Sequence, residues 1–233
     1  GTGSSAGSSE STDNSDFKVG AIYINSKNDT AGYTYAHHTG ITKAMEALGM
    51  DVDKQLFIVD EVPEDDTQVG AAVDTLVGEG CNIIFGISFG YLNEMEVKAE
   101  EYPDVIFSHA TGYKSNETNF NNYFGRAYQA RYLAGIAAGL RTENNHLGYV
   151  AAMQIPECIY SMNAYFLGAR SVNPDVTMDV LFTNTWYDPT IEGQAAQALI
   201  DMRCDVIAQH CDTTAPQLAA QEKGVWGCGY NSD

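Results

Sequence analysis

Short apolar runs alternate with longer stretches of helical periodicity from residue 17 onward. The apolar runs have the length of buried strands, and two of the helical stretches end at glycines. The predicted strands are residues 18–24, 55–59, 82–87, 104–109, 146–151, 177–183, 205–208 and 225–229. The predicted helices are residues 33–48, 68–77, 92–101, 127–140, 157–171, 191–202 and 215–222. This α/β alternation predicts doubly wound parallel sheets with helices on both faces.

The polar stretch 141–145 interrupts this alternation, and we take it as the boundary between two α/β lobes. The first lobe is then residues 17–142, the second is residues 143–233, and a hinge joins them. Because a parallel strand normally leads into a covering helix, the strand at 225–229 makes the second lobe look truncated.

Residues 1–16 are rich in Ser, Gly, Thr and Asp and contain no large apolar side chain. Such a segment does not bury enough surface to offset the entropy of ordering it, so we expect a flexible spacer. One interpretation is a cloning remnant. The other is the tether of a bacterial lipoprotein, anchored to the outer face of the cell membrane through a lipid upstream of Gly1.

Charge and cysteine content narrow the function. The net charge is −19, from 12 basic and 31 acidic residues, and no basic cluster occurs, which argues against a nucleic-acid partner. No apolar run reaches the roughly 20 residues that a membrane span needs. Five irregularly spaced cysteines do not form a disulfide scaffold, and their odd number leaves at least one thiol free or paired between chains.

Aromatic and small polar side chains follow almost every predicted strand. In open α/β sheets the ligand lies at the carboxyl ends of the strands. The candidate ligand-binding residues there are Asn28, Asp29, Tyr33, Ser88, Phe89, Tyr91, His109, Thr111, Trp186, His210, Asp212 and Asn231. Aromatic faces with a few directed polar groups suit a flat, polar-edged heterocycle. The alternative is that these aromatic residues only fill the interface between the lobes.

Two kinds of catalytic or metal site are weaker alternatives. Residues 86–90 read G-I-S-F-G, the pattern of a nucleophile elbow, and Asp188 and His210 follow in the order of a hydrolase triad around Ser88. The turn comes after only the third strand, and no oxyanion loop precedes it. Adjacent histidines 37 and 38 do not share a helix face, so they make a poor metal site. We therefore predict a binding protein without catalysis, metal or cofactor.

Several stretches, in order, resemble one family. They are 33–37 (YTYAH), 88–90 (SFG), 109–113 (HATGY), 131–135 (RYLAG), 168–174 (GARSVNP), 186–189 (WYDP) and 229–233 (GYNSD). They are similar to the basic-membrane-protein family, substrate-binding lipoproteins of ABC transporters with the type I periplasmic-binding-protein fold. The resemblance implies an extracytoplasmic protein that delivers a purine base, such as adenine, or a nucleoside to a permease. A sensory protein with the same ligand site is an alternative.

The resemblance also implies roles for individual residues. Asp29 or Asn28 would read the base, and Tyr33 and Trp186 would sandwich the ring. Gln209, His210 and Asp212 would hold the rest of the ligand. Where many members carry an aspartate that binds a ribose diol, this chain has Asn231, which lacks the charge that strengthens such a bond. The sequence therefore favours the base over the nucleoside by a small margin.

Overall fold

The computed structural model describes residues 14–231 and contains two parallel sheets. The first has the order β2-β1-β3-β4-β5 and the second the order β7-β6-β8-β9. The strands are β1 (Val19–Tyr23), β2 (Leu56–Val59), β3 (Ile83–Ile87), β4 (Ile106–Ala110), β5 (Phe120–Tyr123), β6 (His146–Ala151), β7 (Thr177–Phe182), β8 (Val206–His210) and β9 (Trp226–Cys228). The helices are α1 (Gly32–Ala47), α2 (Val52–Gln55), α3 (Asp66–Gly78), α4 (Leu92–Glu101), α5 (Ala127–Arg141), α6 (Pro156–Val172), α7 (Pro189–Asp201) and α8 (Ala215–Glu222).

The first sheet has an apolar core beneath α3 and α4. Val19 of β1 lies opposite Leu56 of β2 and Ile83 of β3 in parallel register. Ile84 and Met95 are fully buried in the core that this sheet shares with its helices. Gly86 of β3 makes room for the Met95 side chain, whose sulfur would have to move if residue 86 carried a Cβ. Helix α4 therefore packs closely on β3.

Helices α5 and α6 form one apolar core with the second sheet, and helices α7 and α8 form a second core with it. Tyr149 of β6 pairs in register with Val180 of β7 and Ala208 of β8. Pro189 begins α7 and the Asp188 side chain caps it, accepting hydrogen bonds from two backbone amides. This places the loop that precedes α7 at the carboxyl edge of the sheet.

The chain divides into two compact units that differ from the lobes expected at residue 142. Within the described residues, the first unit is residues 14–24, 38–109 and 114–121, and the second is residues 25–37, 110–113 and 122–231. Helix α5 belongs to the second unit because it packs closely on α6. A Cβ at Gly135 would overlap the carbonyl oxygen of Tyr165, and one at Gly168 would overlap that of Tyr132.

The periodicity predicts the elements well, with α2 and β5 as exceptions. Residues 52–55 contain one turn of helix that leads directly into β2. Residues 120–123 (FNNY) contain only two apolar positions, yet they form an edge strand. Most of the expected spacer, residues 1–13, lies outside the described residues. Its last part is held in place, since the Gln55 amide donates to the carbonyl oxygens of Asn14 and Phe17, at 2.6 and 2.8 Å.

Two further findings concern thiols and membranes. All five cysteines are free, and four of them are buried. Among residues 14–231, the structure contains no helix that is both long and apolar enough to span a bilayer.

Candidate ligand-binding site

Asp212, directly after β8, connects three strand-end loops of the second unit. Its Oδ2 accepts a hydrogen bond from the Asn25 amide at 3.1 Å, and its backbone nitrogen donates to the Trp186 carbonyl at 3.0 Å. A Cβ at Gly32 would lie 2.6 Å from the backbone oxygen of Asp212, and Gly32 has a φ of +86°. Glycine is therefore required where the loop after β1 approaches the loop after β8.

The Asp212 carboxyl is strongly perturbed. Burial raises its pKa to about 7, and the negative charges of Glu192, Glu157 and Asp29 add to this rise, while the hydrogen bond from Asn25 opposes it. Near neutral pH this group therefore divides between a carboxylate, which accepts hydrogen bonds, and a carboxylic acid, which also donates one. A group poised between these forms inside a cluster of strand ends is typical of a binding site.

Aromatic rings follow the loop after β1. The rings of Tyr33 and His37, one turn apart on α1, are 4.4 Å apart, and His37 Nδ1 is hydrogen-bonded to the Tyr123 hydroxyl at 3.1 Å. Burial lowers the pKa of His37 to about 4, so it is neutral at physiological pH. Burial also raises the pKa of Tyr33 well above its usual value, with Glu157 as the second cause. The result is an uncharged aromatic wall with a partly exposed Tyr33 ring.

A buried polar row lies at the amino end of α6. Glu157 is 6% exposed and His210 is 2% exposed, and Nε2 of His210 lies 3.1 Å from Oε1 of Glu157. Burial lowers the pKa of His210 even though the hydrogen bond to Glu157 works against this. The His210 ring is 4.5 Å from that of Tyr230, which follows β9, and Nδ1 of His210 has no hydrogen-bond partner within residues 14–231.

The loops that carry Trp186 and Asp212 are braced by Glu192. Its carboxylate accepts from the Thr213 hydroxyl at 2.6 Å and from the backbone nitrogens of Thr213 and Asp188, at 3.2 and 3.0 Å. The Gln209 amide donates to the carbonyl oxygens of Cys211 and Thr213, at 2.9 and 2.6 Å. These bonds hold the turn after β8 rigid, which pre-organises Asp212.

Backbone strain marks two more of the predicted residues. Thr111, after β4, has a φ of 64°, a conformation that is rare for a β-branched residue. Its backbone nitrogen donates to the Tyr123 carbonyl at 2.9 Å, which helps to hold this turn. Asn231 has a φ of 52°, which asparagine tolerates better. Strained turns of this kind concentrate at ligand sites.

Eight of the twelve predicted residues fall in the second unit: Asn28, Asp29, Tyr33, Thr111, Trp186, His210, Asp212 and Asn231. Asn28 is exposed and Trp186 is partly buried. The other four, Ser88, Phe89, Tyr91 and His109, fall in the first unit. There the Tyr91 hydroxyl donates to the Val62 carbonyl at 2.5 Å, and His109 Nε2 lies 2.7 Å from the Ser88 carbonyl oxygen.

The hydrolase alternative has no support in the contacts of its three residues. The Ser88 hydroxyl donates to Glu64 at 2.6 Å, Asp188 caps α7, and His210 is hydrogen-bonded to Glu157. Gly90 of the same turn donates its backbone nitrogen to Glu64 at 2.7 Å, so Glu64 stabilises the turn that the G-x-S-x-G pattern forms. Each of the three side chains has a structural partner of its own.

Sequence reasoning missed Glu157 and Glu192. An acidic residue in the first turn of a helix is normally interpreted as a surface group that interacts favourably with the helix dipole. Here Glu157 and Glu192 both occupy that position, yet both are buried. Their partners reveal that they belong to the site: His210 of β8 for Glu157, and Thr213 after β8 for Glu192.

Two units that each contain a parallel sheet flanked by helices, with polar and aromatic side chains after the strands, have the architecture of solute-binding proteins. A solute-binding protein of an ABC transporter system from Aeropyrum pernix has the same fold, with a TM-score of 0.76 at 21% identity, over 91% of this chain and 61% of that one. Residues 17–233 match the family model described as ABC transporter substrate-binding protein, PnrA-like, and the chain belongs to this family. The sequence-based resemblance to the basic-membrane-protein family is thereby confirmed.

Two curated relatives are more similar in sequence. A putative ABC transporter glucose-binding protein from Haloferax volcanii is 54% identical over 151 residues, which are 65% of this chain and 38% of the relative. A purine-binding protein from Brucella abortus is 37% identical over 216 residues, 93% of this chain and 60% of the relative. The chain thus spans less than two thirds of either relative's length.

Proposed function

We propose that this chain binds a purine base outside the cytoplasm and presents it to the permease of an ABC importer, without chemical change. The observation that carries the proposal is the arrangement around Asp212, where Asn25 and the Trp186 loop join it. Membership of the substrate-binding family supports the transport role. The Brucella abortus relative, named as purine-binding over nearly the whole of this chain, supports the ligand class.

The chemistry of the second unit suits a planar heterocycle with N–H groups on its edge. Tyr33 and Trp186 supply aromatic faces, and Asp212 supplies acceptor oxygens. Because Nε2 of neutral His210 faces Glu157, we assign the proton to Nε2, which leaves Nδ1 as an acceptor. Asp29, whose charge raises the pKa of Asp212, and the neighbouring Asn28 are the proposed readers of the base edge.

The base is favoured over the nucleoside because of Asn231. A ribose diol is bound most strongly by a carboxylate, and an amide oxygen makes a weaker, uncharged hydrogen bond. We therefore expect adenine to bind more tightly than adenosine.

A sugar is the second candidate ligand. The Haloferax volcanii relative, named as a putative glucose-binding protein, has the higher identity over a shorter stretch. Carboxylate and amide side chains such as Asp212 and Asn25 also suit sugar hydroxyls.

Titration calorimetry with adenine, adenosine, guanosine, inosine and glucose tests the proposal. We expect saturable binding of adenine, weaker binding of adenosine and none of glucose. Tryptophan fluorescence supplies a control, since the chain has two tryptophans. Adenine should quench the tryptophan fluorescence of the Trp226→Phe variant, which retains Trp186. It should leave the fluorescence of the Trp186→Phe variant unchanged. Saturable glucose binding without purine binding would contradict the proposal and show that the ligand is a sugar.

We propose that the chain is tethered to the outer face of the cell membrane by a lipid upstream of Gly1, through the spacer 1–16. Labelling of the protein with a fatty-acid analogue in its native host tests this. Labelled protein in the membrane fraction is expected, and unlabelled protein in the medium would contradict the tether. Pull-down of a permease rather than a membrane kinase separates transport from the sensory alternative.

A further inference from the structure

Three side chains with metal-ligand atoms meet at the amino end of the second sheet. His146 is the first residue of β6, Asp179 lies in β7, and Cys204 lies in the turn between α7 and β8. Each residue offers one ligand atom, and these three atoms all lie within 4.8 Å of one another. Nε2 of His146 lies 2.7 Å from Oδ2 of Asp179. All three residues belong to the second unit.

The strand register explains why these side chains meet. Gly148 of β6 pairs in parallel register with Asp179 of β7, and His146 lies two residues before Gly148. The three positions therefore share one face of the sheet. A Cβ at Gly148 would lie 3.2 Å from the Cβ of Cys204. Because Gly148 has no side chain, the turn that carries Cys204 approaches this face closely.

Hydrogen bonds hold the turn of Cys204 against β6. The backbone nitrogen of Asp205 donates to the carbonyl oxygen of His146 at 3.1 Å. The Cys204 thiol donates to the carbonyl oxygen of Leu147 at 3.3 Å. The thiol is therefore fixed beside the first residues of β6, and a metal site needs ligands that are positioned in this way.

The surroundings of the thiol favour a cation. Burial raises the pKa of Cys204 to about 12, and the negative charges of Asp179 and Asp205 add to this rise. A divalent cation reverses the effect, since it attracts carboxylates and releases the proton of a thiol that coordinates it. Cys204 is buried, whereas His146 and Asp179 are partly exposed, which leaves a path from solvent to the group.

We infer that His146, Asp179 and Cys204 bind a divalent transition-metal ion such as Zn²⁺, with a water molecule as the fourth ligand. An imidazole nitrogen and a thiolate select zinc over magnesium or calcium, which prefer oxygen ligands alone. In a tetrahedral site, nitrogen and oxygen ligands lie about 3.4 Å apart, so Nε2 and Oδ2 need to separate by less than about 1 Å. On binding, the thiol proton leaves to solvent and the imidazole proton resides on Nδ1 of His146.

This site connects the starts of three neighbouring strands, at the opposite end of the sheet from Asp212. Ala151 at the end of β6 pairs with His210 of the ligand-binding site. His146 lies five positions earlier, which is about 16 Å along the strand. The metal site therefore does not contact the transported ligand, and its expected role is to stabilise the second unit. The sequence does not predict it, because its residues come from three separate segments.

Cobalt binding to the chelator-treated chain tests the site, because Co²⁺ occupies zinc sites and is coloured. We expect one equivalent of Co²⁺ to give a near-ultraviolet charge-transfer band, which requires a cobalt–thiolate bond, and Zn²⁺ to remove the band by displacing cobalt. Cys204→Ser should lose this band. The matched control is Cys228→Ser, which removes the half-buried thiol of β9 and should keep the band.

Asp179→Asn keeps the proposal testable if Cys204→Ser does not fold, since residue 179 is partly exposed. Loss of this ligand should raise the dissociation constant for Zn²⁺, measured by competition with a coloured chelator, at least about tenfold. Asp175→Asn, in the exposed turn before β7, should leave the dissociation constant unchanged. Crystals soaked in Zn²⁺ should show an anomalous peak between the three side chains.

Four results would overturn the site. They are absence of the charge-transfer band in the natural sequence, its loss in Cys228→Ser, its retention in Cys204→Ser, and an unchanged affinity for Zn²⁺ in Asp179→Asn. Cobalt that binds without this band would be held by surface carboxylates, since the chain has 31 acidic residues.

Discussion

Nε2 of His210 and Oε1 of Glu157 lie 3.1 Å apart in the interior of the second unit. Because burial lowers the pKa of His210, the imidazole is neutral near pH 7 and donates from Nε2 to the carboxylate. Glu157 thereby selects the tautomer in which Nδ1 of His210 accepts hydrogen bonds. In this way a residue at the start of α6 determines what the end of β8 presents to a ligand.

Removal of the Glu157 carboxylate should weaken both stability and binding. We expect Glu157→Ala to cost about 2 kcal/mol in the free energy of unfolding, since the buried N–H of His210 loses its acceptor. Glu157→Gln retains an acceptor oxygen and should cost less, about 1 kcal/mol. Urea denaturation measures both values. A Glu157→Ala protein as stable as the natural chain would show that this hydrogen bond contributes nothing.

Ionisation of Asp212 should make stability decrease with rising pH. Its pKa is about 7 in the folded chain, against 3.8 for an unperturbed aspartate, so between these values the folded state binds more protons than the unfolded state. The contribution of this group is therefore fully present below about pH 4 and is lost as the pH rises through about 7. The difference sets a ceiling of about 4 kcal/mol on the loss.

Asp212→Asn tests this pH dependence because the amide cannot ionise. We expect the variant to unfold at a higher urea concentration than the natural chain at pH 8, and the advantage to disappear near pH 4. Asp201→Asn, an exposed residue at the end of α7, is the matched control and should change neither curve. A natural chain whose urea midpoint is no lower at pH 8 than that of Asp212→Asn would contradict the raised pKa.

A methyl group between α5 and α6 should be poorly tolerated. In Gly135→Ala the new Cβ would overlap the Tyr165 carbonyl oxygen, and because backbone cannot rotate away, the helices must separate. We expect a loss of about 3 kcal/mol or more, as for other overpacked sites. Gly40→Ala in α1 has no heavy atom within 4 Å of its new Cβ and should gain about 0.5–1 kcal/mol from reduced backbone entropy. Equal melting temperatures for the two variants would refute this close approach.

Ser88→Ala distinguishes a structural serine from a nucleophile. The variant loses the hydrogen bond to Glu64, and we expect a cost of about 1–2 kcal/mol in unfolding free energy. Hydrolysis of a nitrophenyl ester by the natural chain and by the variant should match that of buffer. Ester turnover that disappears in Ser88→Ala would restore the hydrolase interpretation.

The sequence predicts most of the fold because each buried strand and amphipathic helix leaves a local pattern. The prediction for 92–101 matches α4, that for 146–151 matches β6, and that for 215–222 matches α8. Edge strand β5 escapes because it has only Phe120 and Tyr123 as apolar positions, and its pairing with β4 supplies the rest.

The candidate site is less predictable because its geometry arises from contacts between distant segments. The strand-end rule identifies Asp212, but its bond to Asn25 joins residues 187 positions apart. Arg131 belongs to one of the family motifs, but its burial against the ring of Tyr230 joins residues 99 positions apart. No local pattern in the sequence records contacts of this range.

The second unit is assembled from segments that are far apart along the chain, and this has a consequence for biosynthesis. Residues 25–37 and 110–113 leave the ribosome long before β9, yet they pack with the second half of the chain. Long-range contacts of this kind slow folding and expose partly folded states. A gene fragment that starts at residue 122 would lack Asn25, Gly32 and Tyr33. The nascent chain must therefore keep an early loop available until β8 and Asp212 have been translated.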